Sequence, residues 1–140
     1  MTNPDPNSFN NQLIADFRAS GGNLTTGPFA GSPLILLTTT GAKSGQKRTT
    51  PLVHTRDGGK YVIIASKAGA PTNPDWYHNI LKNPTVTIEV GAEKFEATAS
   101  VAEPAERDRL YAAQAALMPN FAEYETKTDR KIPVVVLERI

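Results

Sequence analysis

Residues 33–66 read PLILLTTTGAKSGQKRTTPLVHTRDGGKYVIIAS, and this stretch holds three apolar or β-branched runs separated by two glycine-containing turns. The runs at 33–40, 49–56 and 60–66 have the composition of β-strands. Asp57-Gly-Gly59 is typical of a short hairpin turn between the last two runs. The stretch therefore predicts three consecutive strands, of which the last two form an antiparallel hairpin.

The remainder of the chain adds three strand-like runs and several short helices. Residues 85–90 alternate in polarity and then turn into 94–101, which predicts a second hairpin. A sixth strand is predicted over 132–137, where Pro133 suits an edge or a strand start better than a central position. Helices are predicted at the N-terminus (with Phe9, Leu13, Ile14 and Phe17 as its apolar side), between Asn73 and Asn83, over 104–117 and after Pro119.

Six mostly antiparallel strands joined by hairpins predict an α+β fold, a small six-stranded barrel with flanking helices. A doubly wound parallel sheet would need regular alternation of strands and helices, which this chain lacks. The 140 residues are enough for one core. We therefore expect a single domain overall, with an N-terminal helix and linker over 1–32 and the barrel over 33–140.

The composition is that of a soluble globular protein, with 39% hydrophobic and 21% charged residues. There is no cysteine, so disulfides and thiolate metal sites are excluded. The N-terminus has neither the cationic start nor the apolar stretch of a secretory signal, which predicts a cytoplasmic location. The apolar side of the N-terminal helix leaves peripheral contact with the inner face of the plasma membrane as an open alternative to core packing.

No acidic residue occurs between Asp16 and Asp57, and Lys43, Lys47 and Arg48 lie in the middle of that gap. Two glycines in the same loop permit a tight turn and the close approach of backbone N–H groups to a ligand. Lysine adds a point charge, and arginine adds a planar fork that suits phosphate or carboxylate. The loop therefore predicts an anion-binding site.

The charge is divided unevenly along the chain. Residues 1–88 carry eight Lys/Arg against four Asp/Glu, whereas residues 89–140 carry seven against ten. A general nucleic-acid binder would show a domain-wide basic stripe, so this difference indicates a local anion pocket and no nucleic-acid partner.

Several familiar catalytic motifs are absent. The glycine spacing of the basic loop does not fit a P-loop, and no Gly-x-Gly-x-x-Gly connects a strand to a helix. Ser44 and Ser66 lie in no nucleophile elbow. His54 and His78 lack partners at metal-ligand spacing, so we expect no metal site and assign both histidines structural or incidental roles.

A second segment, 65–79, combines a Ser-Lys-x-Gly turn with a helix that carries Trp76. Taken alone, the basic loop fits a solvated hairpin tip, and this segment fits a surface loop whose Trp76 packs on the core. Taken together, they predict one groove with cations at one end and an aromatic wall at the other. Such a groove suits an amphipathic, anionic, ring-bearing ligand.

Three strings in this order carry a resemblance to a known family: LLTTTGAKSGQKRTTPL at 36–52, ASKAGAPTNPDWYHN at 65–79 and TDRKIPV at 128–134. Over roughly residues 33–138 the chain resembles the deazaflavin-dependent nitroreductase family of actinobacteria. The resemblance implies a split β-barrel related to flavin-binding reductases. It also implies coenzyme F420, an 8-hydroxy-5-deazaflavin, as the cofactor.

The resemblance also implies positions for the coenzyme. Its phosphate and oligoglutamate tail would lie on the basic loop, the groove wall would continue along the following strand, and the deazaflavin ring would lie against the Ser-Lys-x-Gly turn. The residues so implied are Lys43, Ser44, Gly45, Lys47 and Arg48 for the tail, Thr49 and Pro51 for the wall, and Ser66, Lys67, Ala68 and Gly69 for the ring, backed by Trp76 and Asn79.

The implied reaction is hydride transfer from the reduced coenzyme to a quinone, an activated enone or a nitro compound. The family pattern points to hydroxyls at Ser66 and Tyr124 as donors to the acceptor oxygen. Met118, Phe121 and Tyr124 would form the acceptor pocket with Val53. Two of the first three positions, and Val53, lack the tyrosine of the best-known nitroreductase pattern, which favours quinones and enones over nitroimidazoles.

Other interpretations stay open at this point. Met118 and Phe121 also fit ordinary core contacts of a helix. A carrier or sensor that binds the deazaflavin without catalysis is the main alternative function, and a small barrel for single-stranded nucleic acid is disfavoured by the few clustered cations. The pattern does not decide between a monomer and a homodimer.

Overall fold

A computed structural model describes residues 8–24, 31 and 33–140 of the chain. In chain order the elements are α1 Ser8–Ala19, β1 Leu34–Thr40, β2 Lys47–Val53, β3 Thr55–Asp57, β4 Lys60–Ile64, a 3₁₀ turn Lys67–Gly69, α2 Asp75–Lys82, β5 Thr85–Val90, β6 Glu93–Val101, α3 Pro104–Leu117, α4 Asn120–Thr126 and β7 Val134–Arg139. Within these ranges, no helix is long and apolar enough to cross a bilayer.

The strands form one antiparallel sheet in the order β2-β1-β5-β6-β7-β4-β3. Its two edge strands are consecutive in sequence, with only His54 between them. One continuous segment, residues 47–57, therefore pairs with β1 through its first part and with β4 through its last part. This closes the sheet into the predicted α+β barrel. The expected single strand over 49–56 is two strands, because its halves pair with different neighbours, so six predicted strands become seven.

The break at His54 also ends the backbone pairing of this segment with β4. Thr55 pairs with Val62, and continuing that register backwards would set Val53 opposite Ile64 and Pro51 opposite Ser66. Residues 51–53 pair with β1 instead. The second half of β2 therefore has no backbone pairing with the end of β4 or the residues that follow it. The region between these two segments is here called the wedge.

Alternation along the strands sorts the core into layers. Ile35 and Leu37 of β1 lie in the barrel interior, where Trp76 and Ile80 of α2 pack with them. Trp76 is 5% exposed, so the alternative interpretation, in which it packs on the core, is correct. The opposite face of β1 is covered by α1. Because helices and the barrel bury both faces, β1 reads as a continuous apolar run.

Helices cover the outer face of the barrel at two places. Ile14 and Phe17 of α1 pack on Leu34 and Leu36, as the apolar spacing predicted; the side chain of Phe9 lies outside the described part of the chain. Helices α3 and α4 cover the outer face of β4 and β7.

Prolines mark the starts of elements. Pro104 occupies the first turn of α3, where its missing N–H costs no hydrogen bond. Pro133 comes directly before β7 and leaves its carbonyl to accept a bond from the Ala65 N–H at 3.0 Å. The strand-start interpretation of Pro133 is therefore correct. Its edge alternative is wrong, because β7 lies between β6 and β4.

Candidate functional site

The basic loop at 41–46 is a tight turn that requires its glycines. The Gly45 N–H donates to the Gly41 carbonyl at 3.0 Å, and the Gly41 N–H donates to the Gln46 carbonyl at 2.8 Å. Gly45 has φ of +72°, a conformation that side chains other than glycine rarely adopt. A Cβ on Gly41 would lie 2.5 Å from Ser44 Oγ. The loop is therefore preshaped before any ligand is present.

Helix α2 holds this loop from one side. Asn79 Oδ1 accepts the backbone N–H of Ala42 at 2.9 Å, and Asn79 Nδ2 donates to Thr39 Oγ1 at 3.0 Å. Lys82 Nζ donates to the Ala42 carbonyl at 2.8 Å. Asn79 is buried with both ends of its amide bonded, so it positions the loop instead of offering its amide to a ligand.

A groove of about 1360 Å³ opens beside the loop. Its walls come from the loop, the start of β2, one side of α1 and the first turns of α2. Seven of the residues expected to bind the coenzyme line it: Lys43, Ser44, Lys47, Arg48, Thr49, Trp76 and Asn79.

The groove lining carries an excess of positive charge, although Asp75 places one carboxylate in it. Lys43, Lys47 and Arg48 are exposed, and no ion pair among the described residues involves them. Arg18 also lines the groove, but its guanidinium makes two bonds with Glu89, at 3.0 and 2.8 Å. The arrangement suits a ligand with more than one negative charge.

The outer face of β2 leads away from the groove toward the wedge. Lys47, Thr49, Pro51 and Val53 share this face because strand side chains alternate. Six residue steps along a strand span about 20 Å. Thr49 Oγ1 lies 2.8 Å from Thr38 Oγ1, a hydrogen bond that occupies the hydroxyl. The face therefore changes from cationic to apolar between its two ends.

The Ser66–Gly69 segment follows β4 on the far side of the wedge as defined by the extrapolated register, and it is not part of the groove lining. Lys67 has φ of +48° and Gly69 has φ of +81°. A Cβ on Gly69 would lie 2.9 Å from Lys127 Cβ and 3.0 Å from the Tyr124 carbonyl oxygen. The turn therefore packs directly against the C-terminal end of α4. The side chain of Ala68 lies outside the described part.

Arg130 organises this turn, a role that the sequence did not reveal. Its guanidinium donates to the carbonyls of Ala65, Ser66 and Ala70 and to Asn73 Oδ1, at 3.1, 2.7, 2.9 and 2.7 Å. Arg130 belongs to the family-like string 128–134, but the separation in sequence hides the contact. Its place in that string was the one sequence feature that indicated a role for Arg130.

The four residues expected to bind the acceptor meet in one apolar cluster between α3, α4 and β4. Phe121 is 5% exposed and makes edge-on contact with Tyr124, with ring centroids 5.2 Å apart. Phe121 is therefore a core side chain, which agrees with the alternative interpretation of this residue as an ordinary core contact of a helix. Met118, Val53 and Tyr124 are only partly buried at the edge of this cluster. They remain the members that a ligand can reach.

Two polar side chains near these sites, Tyr111 and His54, are buried. The Tyr111 hydroxyl donates to the Phe121 carbonyl, and burial raises the pKa of Tyr111 to about 12. His54, at the break between β2 and β3, lies against Tyr61 with ring centroids 5.8 Å apart, and burial lowers the pKa of His54. Both groups are thus neutral at neutral pH, which fits structural roles.

Comparison with known proteins places the chain in a family. Residues 11–139 match the family model described as F420H(2)-dependent quinone reductase. An F420H(2)-dependent quinone reductase of Mycobacterium tuberculosis is 42% identical over 128 residues, which cover 89% of this chain and 86% of the relative.

Two solved structures agree in fold. An F420-H2 dependent reductase, FDR-A, is 46% identical with a TM-score of 0.70, covering 76% of this chain and 94% of that chain. A chain described as a domain-swapped dimer is 39% identical with a TM-score of 0.71, covering 93% of this chain and 95% of that chain.

The predicted split barrel and the predicted deazaflavin dependence are both confirmed by these matches. The matching family is named for quinones, so reduction of nitro compounds stays a prediction. The chain belongs to the F420H(2)-dependent quinone reductase family and is a reductase that uses coenzyme F420.

Proposed function

We propose that this protein reduces a quinone, and that the coenzyme lies with its tail on the basic loop and its ring in the wedge. The observation that supports this proposal is the cationic groove. The outer face of β2 leads from it to the wedge beside Ser66. An elongated ligand with a polyanionic tail and a planar head matches that change from charged to apolar surface.

The donor set fits the anionic tail. Lys43, Lys47 and Arg48 stand at successive points of the groove without carboxylate partners in the described part of the chain. A phosphodiester followed by glutamates would meet a point charge and then a planar fork. The glycine turn also brings backbone N–H groups close to the ligand.

Two backbone segments border the proposed position of the ring. Pro51 and Val53 form one side of the wedge, and Ser66 with the 3₁₀ turn forms the other. Trp76 lines the groove but is too buried to offer a whole ring face to a ligand. When bound, the coenzyme supplies the hydride.

Two hydroxyls are suited to stabilise charge on the acceptor oxygen. The Tyr124 hydroxyl accepts a bond from Asn120 Nδ2 at 2.9 Å, which leaves its own proton free to donate. Ser66 Oγ makes no hydrogen bond to another residue in the described ranges. Donors aimed at a developing oxyanion are typically worth about 3 kcal/mol each.

The acceptor would lie between these hydroxyls and the partly buried side chains of Val53 and Met118. Both are apolar, so the pocket suits a planar quinone or enone more than a strongly polar nitroimidazole. The fixed geometry would hold the reactants at near-attack distance and exclude water.

The test is oxidation of reduced coenzyme F420 by menadione, followed by absorbance. We expect turnover that saturates with both substrates and needs the protein. Tight binding of the coenzyme without turnover across several quinones and enones would instead support the carrier alternative.

A further inference from the structure

Arg130 is unusual in what it binds. Three of its four hydrogen bonds go to backbone carbonyls within residues 65–70, and the fourth goes to Asn73 Oδ1. All four acceptors are neutral, and no carboxylate in the described ranges pairs with it. Arg130 is half-buried, and burial lowers its pKa.

The segment that Arg130 holds is conformationally strained. Lys67 is the one residue other than glycine with positive φ among those described. Such a conformation costs about 1–3 kcal/mol and persists only where the surroundings enforce it. Arg130 bonds to the Ala65 and Ser66 carbonyls on one side of Lys67 and to the Ala70 carbonyl on the other, so its bonds bracket the strained residue.

The same arginine connects the turn to the acceptor cluster. Arg130 follows α4 in sequence, and its own N–H donates to Thr128 Oγ1 at 3.3 Å. Gly69 packs on the Tyr124 carbonyl at the end of α4. The backbone that carries Ser66 and the helix that carries Tyr124 are therefore fixed relative to each other through this short connection.

We infer that Arg130 is a positioning residue for hydride transfer: its guanidinium fixes the strained turn so that Ser66 and Tyr124 face the same acceptor. This inference rests on the proposed function. The planar fork is what matters, because a lysine ammonium cannot reach four acceptors arranged around a guanidinium plane. The coenzyme tail is anchored elsewhere, on the basic loop.

The test compares Arg130→Lys and Arg130→Gln with wild type, using Arg107→Gln as the matched control. Arg107 is a buried arginine that donates to the Ile132 carbonyl at 2.9 Å and to the carboxylates of Asp108 and Glu125. Among the described residues it makes no hydrogen bond to 65–73. Turnover of the wild type with menadione is measured first. Absent wild-type activity would contradict the proposed function, whereas the inference about Arg130 is tested by comparing the variants with an active wild type.

For both Arg130 variants we expect kcat with menadione to fall at least about tenfold, since small displacements of reacting groups have effects of this size. The dissociation constant for oxidised coenzyme F420 should change less than about threefold, because ionic contacts to the tail are retained. The control should lose thermal stability with kcat within about twofold of wild type.

Hydrogen exchange on the coenzyme-free protein gives a readout independent of activity. The Gly69 N–H donates to Ser66 and the Ala70 N–H donates to Lys67. Both amides should exchange faster in Arg130→Gln and unchanged in the control. Full kcat in Arg130→Lys, or unchanged exchange at these amides, would overturn the inference. If neither Arg130 variant folds, Asn73→Ala removes one acceptor only and should lower kcat by a smaller factor; unchanged kcat there would also overturn it.

Discussion

Asn79 Oδ1 accepts the backbone N–H of Ala42 at 2.9 Å, which ties the basic loop to a buried side chain of α2. The other end of the same amide donates to Thr39 Oγ1 at 3.0 Å. A loop that carries exposed cations is thus held by a group in the core. The loop's shape depends on α2, although its charge comes from its own residues.

Asn79→Ala should therefore weaken both folding and coenzyme binding. It removes one buried and one part-buried hydrogen bond and leaves the Ala42 N–H unpaired, at a cost of about 1–3 kcal/mol in the free energy of unfolding. Urea unfolding and fluorescence titration with the coenzyme measure the two effects. Asn83→Ala, at the end of the same helix, is the control. Unaltered coenzyme affinity in Asn79→Ala would show that the loop needs no support from α2.

Lys43→Ala and Arg48→Ala should each weaken coenzyme binding by about 1.5–3 kcal/mol, the usual size of a charged hydrogen bond. The loss should be greater at low salt than at high salt, because exposed charges are screened. Titrations at two ionic strengths check this. Lys60→Ala, an exposed lysine on β4, serves as the control. An equal loss in the control would mean that overall charge, and not the loop, sets the affinity.

Tyr124→Phe and Ser66→Ala should lower kcat for menadione by about ten- to a hundredfold if their hydroxyls stabilise the acceptor oxygen. Tyr124→Phe should change stability by less than about 1 kcal/mol, because the bond to Asn120 is exposed. Steady-state kinetics and thermal unfolding separate the two effects. Wild-type kcat in both variants would remove these hydroxyls from the mechanism.

The Arg18–Glu89 pair should make stability depend on pH. The hydrogen-bonded guanidinium lowers the pKa of Glu89 in the folded protein from its ordinary value of 4.5. The contribution is therefore present above pH 4.5 and is lost as pH falls through the folded pKa. Because Arg18 is half exposed, we expect about 1 kcal/mol at most.

Unfolding of wild type and Glu89→Gln at pH 7 and at pH 3.5 checks this effect. The variant should be less stable at pH 7, and the difference should shrink at pH 3.5. A difference that is the same at both values would show that the pair acts through packing alone.

Much of the fold was predictable because local signals were strong. Residues 85–90 alternate cleanly, and Pro104 starts α3 at the predicted residue. The break at His54 was not predictable, since it depends on which neighbours the two halves of one strand find. Local composition contains no information about those partners.

Some residues of the candidate site were likewise predictable from the sequence, and others were not. Lys43 and Arg48 are recognisable by charge against an acid-free background, and the structure brings them into one groove. Asn79 and Phe121 have the right residue types for a ligand, yet burial gives them supporting roles. Arg130 acts on residues about sixty positions away, and only the folded chain shows that contact.

The position of the coenzyme is the central claim, and a crystal structure of the protein with oxidised coenzyme F420 tests it most directly. We predict density for the phosphate within hydrogen-bond reach of Lys43, Lys47 or Arg48, and for the deazaflavin ring in the wedge between Pro51 and Ser66. A ring bound outside the wedge, or a tail that leaves the basic loop untouched, would contradict the account.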